Sequence, residues 1–232
     1  MEDSRPTLVL FARAPIPGSV KTRLAPALAP EGAARLYRAF LEDASRVYVD
    51  RAWRSVLYAD PAPDEPSLTA IFGEPWRREA QSPGDLGIRL AAAFRAERSR
   101  GASAVLAVGS DHPALPRRSL RELFAAVDRG EDVALIPAQD GGYCAIALSL
   151  RAAPEAVFRE IPWSSVATLA ATLARARGEG LRIALLEPAY DVDRPEDLER
   201  LASDLAARDP SDDDYPHATA EALAGLAPRL SA

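Results

Sequence analysis

Lysine is almost missing from this chain: of its 28 basic residues, all but Lys21 are arginine. Cysteine is as scarce. The single Cys144 excludes an internal disulfide; a cysteine-based zinc site is not expected from it, and it fits a reducing compartment, taken here as cytoplasmic. Two histidines, His112 and His217, are too few for a histidine-rich metal centre. Any metal is therefore expected to be held mainly by carboxylates, which points to a hard cation, Mg²⁺ or Mn²⁺. Long apolar runs are absent, and the N-terminus is polar (Met1-Glu-Asp-Ser-Arg-Pro6), so neither a signal peptide nor a membrane span is expected. No basic cluster exists, and the formal net charge is −6, which argues against nucleic acid as a partner.

What is present is enough chain, 232 residues, for one substantial α/β domain with its own core. Strand-length apolar runs at 7–11, 54–59, 104–109, 132–137, 143–148 and 182–187 alternate with helical patterns at 32–49, 85–98, 119–129, 164–177 and 195–206. This alternation predicts a three-layer αβα fold, Rossmann-like, around a mostly parallel sheet. Residues 1–207 are expected to form the domain. Residues 208–232, with an acidic turn at Asp212-Asp-Asp214 and a helical pattern over 218–226, are expected to dock as a terminal helix.

In such sheets ligands bind beyond the carboxyl ends of the strands. The loop after the first strand carries Arg13, Gly18, Lys21 and Arg23. A lone lysine there, in a chain that otherwise uses arginine, suits phosphate: lysine is a compact point charge and arginine a planar fork. The loop after the very apolar strand 104–109 reads Gly109-Ser-Asp-His-Pro113, and Asp111 is placed to bind a metal or to cap a turn. In Asp191-Val-Asp193 an extended backbone points both carboxylates one way, so they can complete a metal site. Alternatively Asp193 caps the helix that starts at Pro195. In Gln139-Asp-Gly-Gly142, Gly141 and Gly142 allow close approach of the backbone to a ligand, and Asp140 can contact or deprotonate an acceptor; a tight turn explains the same residues. Gly84 and Asp85 open a helix that either presents backbone amides to a ligand or is simply capped. Trp163 either lines a pocket or packs.

Taken in order, Lys21-Thr-Arg-Leu-x-Pro26, Gly84-Asp-Leu-Gly-x-Arg-Leu90, Gly109-Ser-Asp-x-Pro113, Asp140-Gly-Gly-Tyr143, Ile161-Pro-Trp-Ser164 and Asp191-Val-Asp-x-Pro-Glu-Asp-Leu198 resemble a family of bacterial glycosyltransferase-A-type proteins. Its members carry labels such as uncharacterised or arsenosugar-biosynthesis glycosyltransferase. The chain departs from that pattern at His112, Cys144 and Ala147. The resemblance implies a nucleotide-diphospho-sugar transferase fold. It also implies kinship with the nucleotidyltransferases that make molybdopterin guanine dinucleotide and guanylate 2-phospholactate. It places Lys21 and Arg23 at phosphates, Gly84 and Asp85 near the nucleoside, and Asp111 with Asp193 or Asp191 on the metal; Ala12 and Arg13 are expected to bind the nucleotide as well. The expected partners are a nucleotide or nucleotide-sugar and a small-molecule acceptor. Two activities follow: transfer of a sugar from a nucleotide-diphospho-sugar, or joining of an NTP to a phosphorylated acceptor with loss of pyrophosphate. A non-catalytic nucleotide-sensing domain is the third alternative.

Overall fold

The structure, a computed structural model, describes residues 4–230. The start of the polar N-terminal stretch and the end of the tail lie outside the described residues. In chain order the elements are β1 (Thr7–Arg13), α1 (Ala25–Val47), β2 (Arg54–Asp60), α2 (Pro66–Ile71), β3 (Arg77–Ala80), α3 (Leu86–Ser99), β4 (Ala104–Gly109) and α4 (Arg117–Asp128). There follow β5 (Val133–Pro137), β6 (Tyr143–Ser149), α5 (Pro154–Phe158), α6 (Thr168–Gly178), β7 (Ile183–Leu185), α7 (Pro195–Ala206) and α8 (His217–Leu230).

The strands form one seven-stranded sheet in the order β3-β2-β1-β4-β6-β5-β7. Every neighbouring pair is parallel except the two that β6 makes, with β4 and with β5. The mostly parallel α/β architecture is therefore present. The exception has a local cause: the few residues 138–142 join β5 to β6, too short a link for a parallel crossover. Successive residues of β1 point to opposite faces. Leu8 and Leu10 enter a core with Phe40, Leu123 and Leu201, while Val9 enters a second core with Phe94, Ile146 and Leu148. Helices thus cover both faces, which is why the central strands read as continuous apolar runs.

Three elements go beyond the sequence expectation. Strand β3 is an edge strand of Arg77-Arg-Glu-Ala80 and carries no apolar signal. Helices α2 and α5 are short, and both start on a proline. The helix expected over 164–177 begins instead at Thr168, because Ser164 has φ +57°. Helix α1 begins earlier than expected, at Ala25, but is broken at Ala29 (φ 58°, ψ 161°), the residue before Pro30. Proline disfavours helical backbone in the residue preceding it.

Helix α8 lies against α1. The buried Asp43 carboxylate accepts from the backbone N–H groups of Ala218 (3.1 Å) and Thr219 (2.7 Å) at its first turn. Leu223 and Leu226 are buried. Removing a buried charged acceptor costs about 1.5–3 kcal/mol, because its donors stay unpaired. Asp43→Ala is therefore expected to lose about 2 kcal/mol in urea unfolding, and Asp43→Asn less. An unchanged midpoint would show that this cap does not anchor α8. No described helix is long and apolar enough to cross a membrane.

Candidate functional site at the carboxyl ends of the strands

The site is assembled by an extended segment that zips along strand ends distant in sequence. After β7, the Leu186 N–H donates to Leu135 O, Ala189 N–H to Pro137 O and Val192 N–H to Asp111 O (3.0 Å). This lays Asp191-Val-Asp193 beside the turn that follows β4. Val192 is fully buried, so the flanking aspartates emerge on the other side. Their Cα atoms are separated by a two-residue rise of roughly 6.6 Å, and the carboxylates meet different partners.

Asp193 meets Lys21. The Lys21 ammonium lies 2.9 Å from Asp193 Oδ1 and 2.5 Å from Asp111 Oδ1, and it donates to Val192 O at 2.7 Å. The lysine backbone reaches this position at φ +48°, a conformation non-glycine residues rarely adopt. The side chain of Lys21 is only 4% exposed, whereas those of Asp111 and Asp193 are 43% and 41% exposed. The cation is buried, and its carboxylates open to solvent. Burial works against the lysine charge, but Asp111 and Asp193 outweigh it and hold its pKa above the ordinary value. Lys21 thus forms a charged cross-link between the first loop and the two aspartates. Asp193 does not cap α7. The Asp197 carboxylate accepts from the N–H groups of Asp193 (2.9 Å) and Arg194 (2.7 Å), which leaves the Asp193 side chain to Lys21.

Asp191 meets His112 and Cys144. His112 Nδ1 is 2.8 Å from Asp191 Oδ1, and Cys144 Sγ is 3.9 Å from the same oxygen. Burial alone would lower the imidazole pKa, but the Cys144 sulfur and the Asp191 carboxylate hold it well above the usual histidine value. Burial likewise opposes the Asp191 charge, but the His112 hydrogen bond and the charges of His112 and Lys21 hold its pKa below the usual carboxylate value. Beside these clusters Tyr37 ties β1 to β4: its hydroxyl accepts from Arg13 N–H (3.1 Å) and pairs with Ser110 Oγ (2.7 Å). Burial raises its pKa and keeps it neutral.

Two adjoining cavities open here. A polar groove of about 870 Å³ is lined by Ala12, Arg13, Lys21, Arg23, Asp111, Asp140 and Asp193. A chamber of about 310 Å³ is more apolar, and its walls include Leu90, Gly142, Tyr143, Cys144, Trp163 and Asp191. Asp111 and Asp140 border both. Four other residues singled out in the sequence line neither. Gly18 (φ +78°) and Gly84 (φ +117°) shape turns, and Asp85 caps α3 by accepting from Ile88 N–H at 2.9 Å. Gly141 (φ +91°) packs beneath Val166. Asp140 Oδ1 accepts from Gly142 N–H at 2.8 Å, so it serves the β5–β6 turn while facing both cavities.

Gln81, Asp60 and Tyr37 also belong to this region, and no motif in the sequence marks them. Gln81 donates to Ala12 O (3.2 Å) and Tyr58 O (2.9 Å), accepts from Arg89 at 3.1 Å, and lines the groove with Asp60. It follows β3, which had no hydrophobic signature. Arg89 stands within the quoted Gly-Asp-Leu-Gly-x-Arg motif and was available as a signal. The expectation of a metal held mainly by carboxylates did not include the mixed His112, Cys144 and Asp191 cluster, which folding collects from three separate segments.

Comparison with solved structures supports the fold. A protein of Desulfovibrio desulfuricans G20, provisionally named a nucleotide-diphospho-sugar transferase, superimposes with TM-score 0.88 at 26% identity, covering 98% of this chain and 97% of its own. A cytidylyltransferase of Leptospira borgpetersenii matches with TM-score 0.58 at 12% identity, over 98% and 96% of the two chains. The Rv0371c protein of Mycobacterium tuberculosis, solved in complex with manganese, matches with TM-score 0.51 at 16% identity, over 85% and 97%. No curated protein matches the chain. Residues 44–165, more than half of the chain, match the model of a family described as an uncharacterized protein conserved in bacteria (DUF2064), and the chain belongs to that family.

Proposed function

We propose that the protein is a metal-dependent transferase that moves a sugar from a nucleotide-diphospho-sugar to a small acceptor. The observation that carries this is the convergence of Lys21, Asp111 and Asp193 in the polar groove, with Asp111 also bordering the chamber. The groove would take the nucleotide, with Arg13, Lys21 and Arg23 around its phosphates. The chamber would take the acceptor against Tyr143 and Trp163.

The residues fit a hard cation. Two carboxylate oxygens from different loops already face a single positive charge, the Lys21 ammonium. Asp111 and Asp193 would hold Mg²⁺ or Mn²⁺, in keeping with the manganese found in the Rv0371c fold. Such an ion, when bound, supplies neutralisation of the charge that grows on a departing nucleoside diphosphate. Arg23, and Lys21 once released from the two aspartates, would add positive charge beside the phosphates. Asp140 keeps Oδ1 on its own turn. Its other oxygen is the one offered to an acceptor hydroxyl.

A nucleotidyltransferase is the second reading, favoured by one observation: Arg13 at the end of β1, Lys21 and Arg23 on the loop that follows, and Arg89 beside Arg13 on Asp60 line one groove and suit a triphosphate. The leaving group separates the two, since sugar transfer releases a nucleoside diphosphate and nucleotidyl transfer releases pyrophosphate.

Thermal unfolding with NTPs and NDP-sugars, with and without Mn²⁺ or Mg²⁺, tests the proposal. A ligand at a hundredfold its Kd adds about 2.7 kcal/mol, which raises Tm by roughly 5–10 °C for a chain of this size. Metal-dependent stabilisation by an NDP-sugar is expected in the wild type and not in Asp111→Asn, each measured against its own ligand-free Tm, because the substitution also removes one of the two charges beside the buried Lys21 ammonium. Equal stabilisation of both proteins would remove Asp111 from the site, and no stabilisation by any nucleotide would sink the proposal.

A further inference from the structure

The cluster around Asp191 contains chemistry that nucleotide binding does not use. His112 stands in the turn after β4, Cys144 is the second residue of β6, and Asp191 belongs to the segment zipped onto β5 and the Asp111 turn. One nitrogen, one sulfur and one oxygen ligand atom lie within 4.8 Å of one another. His112 and Cys144 are buried, Asp191 is mostly so, and all three reach the chamber wall. Placement of the imidazole is tight: a Cβ on Gly109 would lie 3.1 Å from His112 Nε2. On the other edge Nδ1 lies 3.3 Å from Tyr190 O, and the Tyr48 hydroxyl donates to His112 O at 3.2 Å.

We propose that His112, Cys144 and Asp191 form a binding site for a zinc-class divalent cation, with its remaining coordination position open to the chamber. Thiolate and imidazole select borderline and soft metals over Mg²⁺, so the donor set is chemically distinct from the all-carboxylate pair Asp111 and Asp193. Tetrahedral zinc with nitrogen, oxygen and sulfur ligands has ligand-to-ligand edges of roughly 3.3–3.6 Å. The 2.8 Å His112–Asp191 contact and the 3.9 Å Cys144–Asp191 contact lie on either side of that range, so small opposite movements accommodate the ion. Binding requires the thiol and the Nδ1 proton to leave, which exchanges the histidine–aspartate hydrogen bond for metal bonds. Three protein ligands with one open position is the arrangement of a reactive zinc centre and not of a purely structural one. The chamber of about 310 Å³ beside it would admit a small molecule whose hydroxyl, thiol or carboxylate completes the coordination.

Cobalt reads this site directly, without nucleotide or turnover, so its failure is distinct from failure of the transferase proposal. Titration of the purified, chelator-stripped protein with Co²⁺ is expected to give a thiolate-to-cobalt charge-transfer band in the near-ultraviolet, saturating at one equivalent. Zn²⁺ should abolish it and excess Mg²⁺ should not. Cys144→Ser should lose the band, and Asp191→Asn should weaken Zn²⁺ binding by more than about tenfold, the scale reached even by outer-shell losses. Asp111→Asn should keep the band. Circular dichroism and Tm identify any variant that fails to fold, and Cys144→Ser, a near-isosteric change, guards against that outcome. A wild type without the band, or a band that survives Cys144→Ser, would overturn the assignment and leave the three groups as a hydrogen-bonded cluster.

Discussion

Lys21→Met is expected to move two affinities in opposite directions: nucleotide binding falls by about 10–100-fold, while binding of Mn²⁺ in the absence of nucleotide becomes tighter. The first sign follows from the loss of a charged donor to phosphate, worth about 1.5–3 kcal/mol. The second follows from the geometry. In the free protein the Lys21 ammonium fills the place between Asp111 Oδ1 and Asp193 Oδ1 at 2.5 and 2.9 Å. A divalent cation must displace it, and methionine removes the competitor while keeping the length of the side chain. Because the two carboxylates are nearly half-exposed, they stay hydrated when the lysine is gone, and the fold should survive. The same exchange makes nucleotide and metal help each other bind in the wild type, since phosphate that attracts Lys21 frees the aspartates. Isothermal titration of Mn²⁺ with and without nucleotide, in both proteins, measures all four affinities. Weaker metal binding in Lys21→Met would show that lysine and metal do not compete for that position.

Gly141→Ala is expected to lower stability by about 2–4 kcal/mol and to reshape the chamber. A Cβ at residue 141 would lie 2.3 Å from Val166 O and 2.6 Å from Val166 Cα, both backbone atoms that cannot rotate away. The backbone there, at φ +91°, adds about 1–2 kcal/mol for any residue with a side chain. The clash pushes apart the β5–β6 turn and the segment around the start of α6, which are joined by the Leu169 N–H to Gly141 O bond of 2.9 Å. Ser164, Ser165 and Thr168 of that segment form one wall of the chamber. A Tm lower by roughly 5–15 °C is the expected result. One residue on, a Cβ at Gly142 would meet only the Asp140 side chain, at 3.1 Å, so Gly142→Ala should cost less than about 1 kcal/mol. Equal Tm values for the two variants would show that the contact with Val166 is not what holds the turn.

The difference between these two neighbouring glycines shows where the sequence stops being informative. The Gly-Gly pair reads equally as a tight turn and as a place of close backbone approach to a ligand. Only the position of Val166, which a turn motif does not encode, separates a glycine that packs under a loop from one that lines a cavity. Asp191 and Asp193 make the same point. Their spacing puts both carboxylates on one side of an extended strand, as expected from side-chain alternation. Which carboxylate meets Lys21 and which meets His112 depends on the register with which residues 186–193 run along β5 and the Asp111 turn.

Local and periodic information was enough for the layered architecture, because buried strands and amphipathic helices announce themselves through hydrophobic spacing. It was enough, too, for the loops at the strand ends, where glycine, proline and charge accumulate. The sequence by itself pointed to the loops behind β1, β4 and β5 and named Lys21, Asp111, Asp191 and Asp193 as candidates, and the fold brings these residues close together. Only the tertiary structure decided who touches whom: that Lys21 is clamped between Asp111 and Asp193, that Asp197 does the capping, and that His112, Cys144 and Asp191 meet at all. Those contacts join residues up to 172 positions apart. The energy that selects them comes from packing the whole sheet and not from any local preference, so no window of the chain contains it.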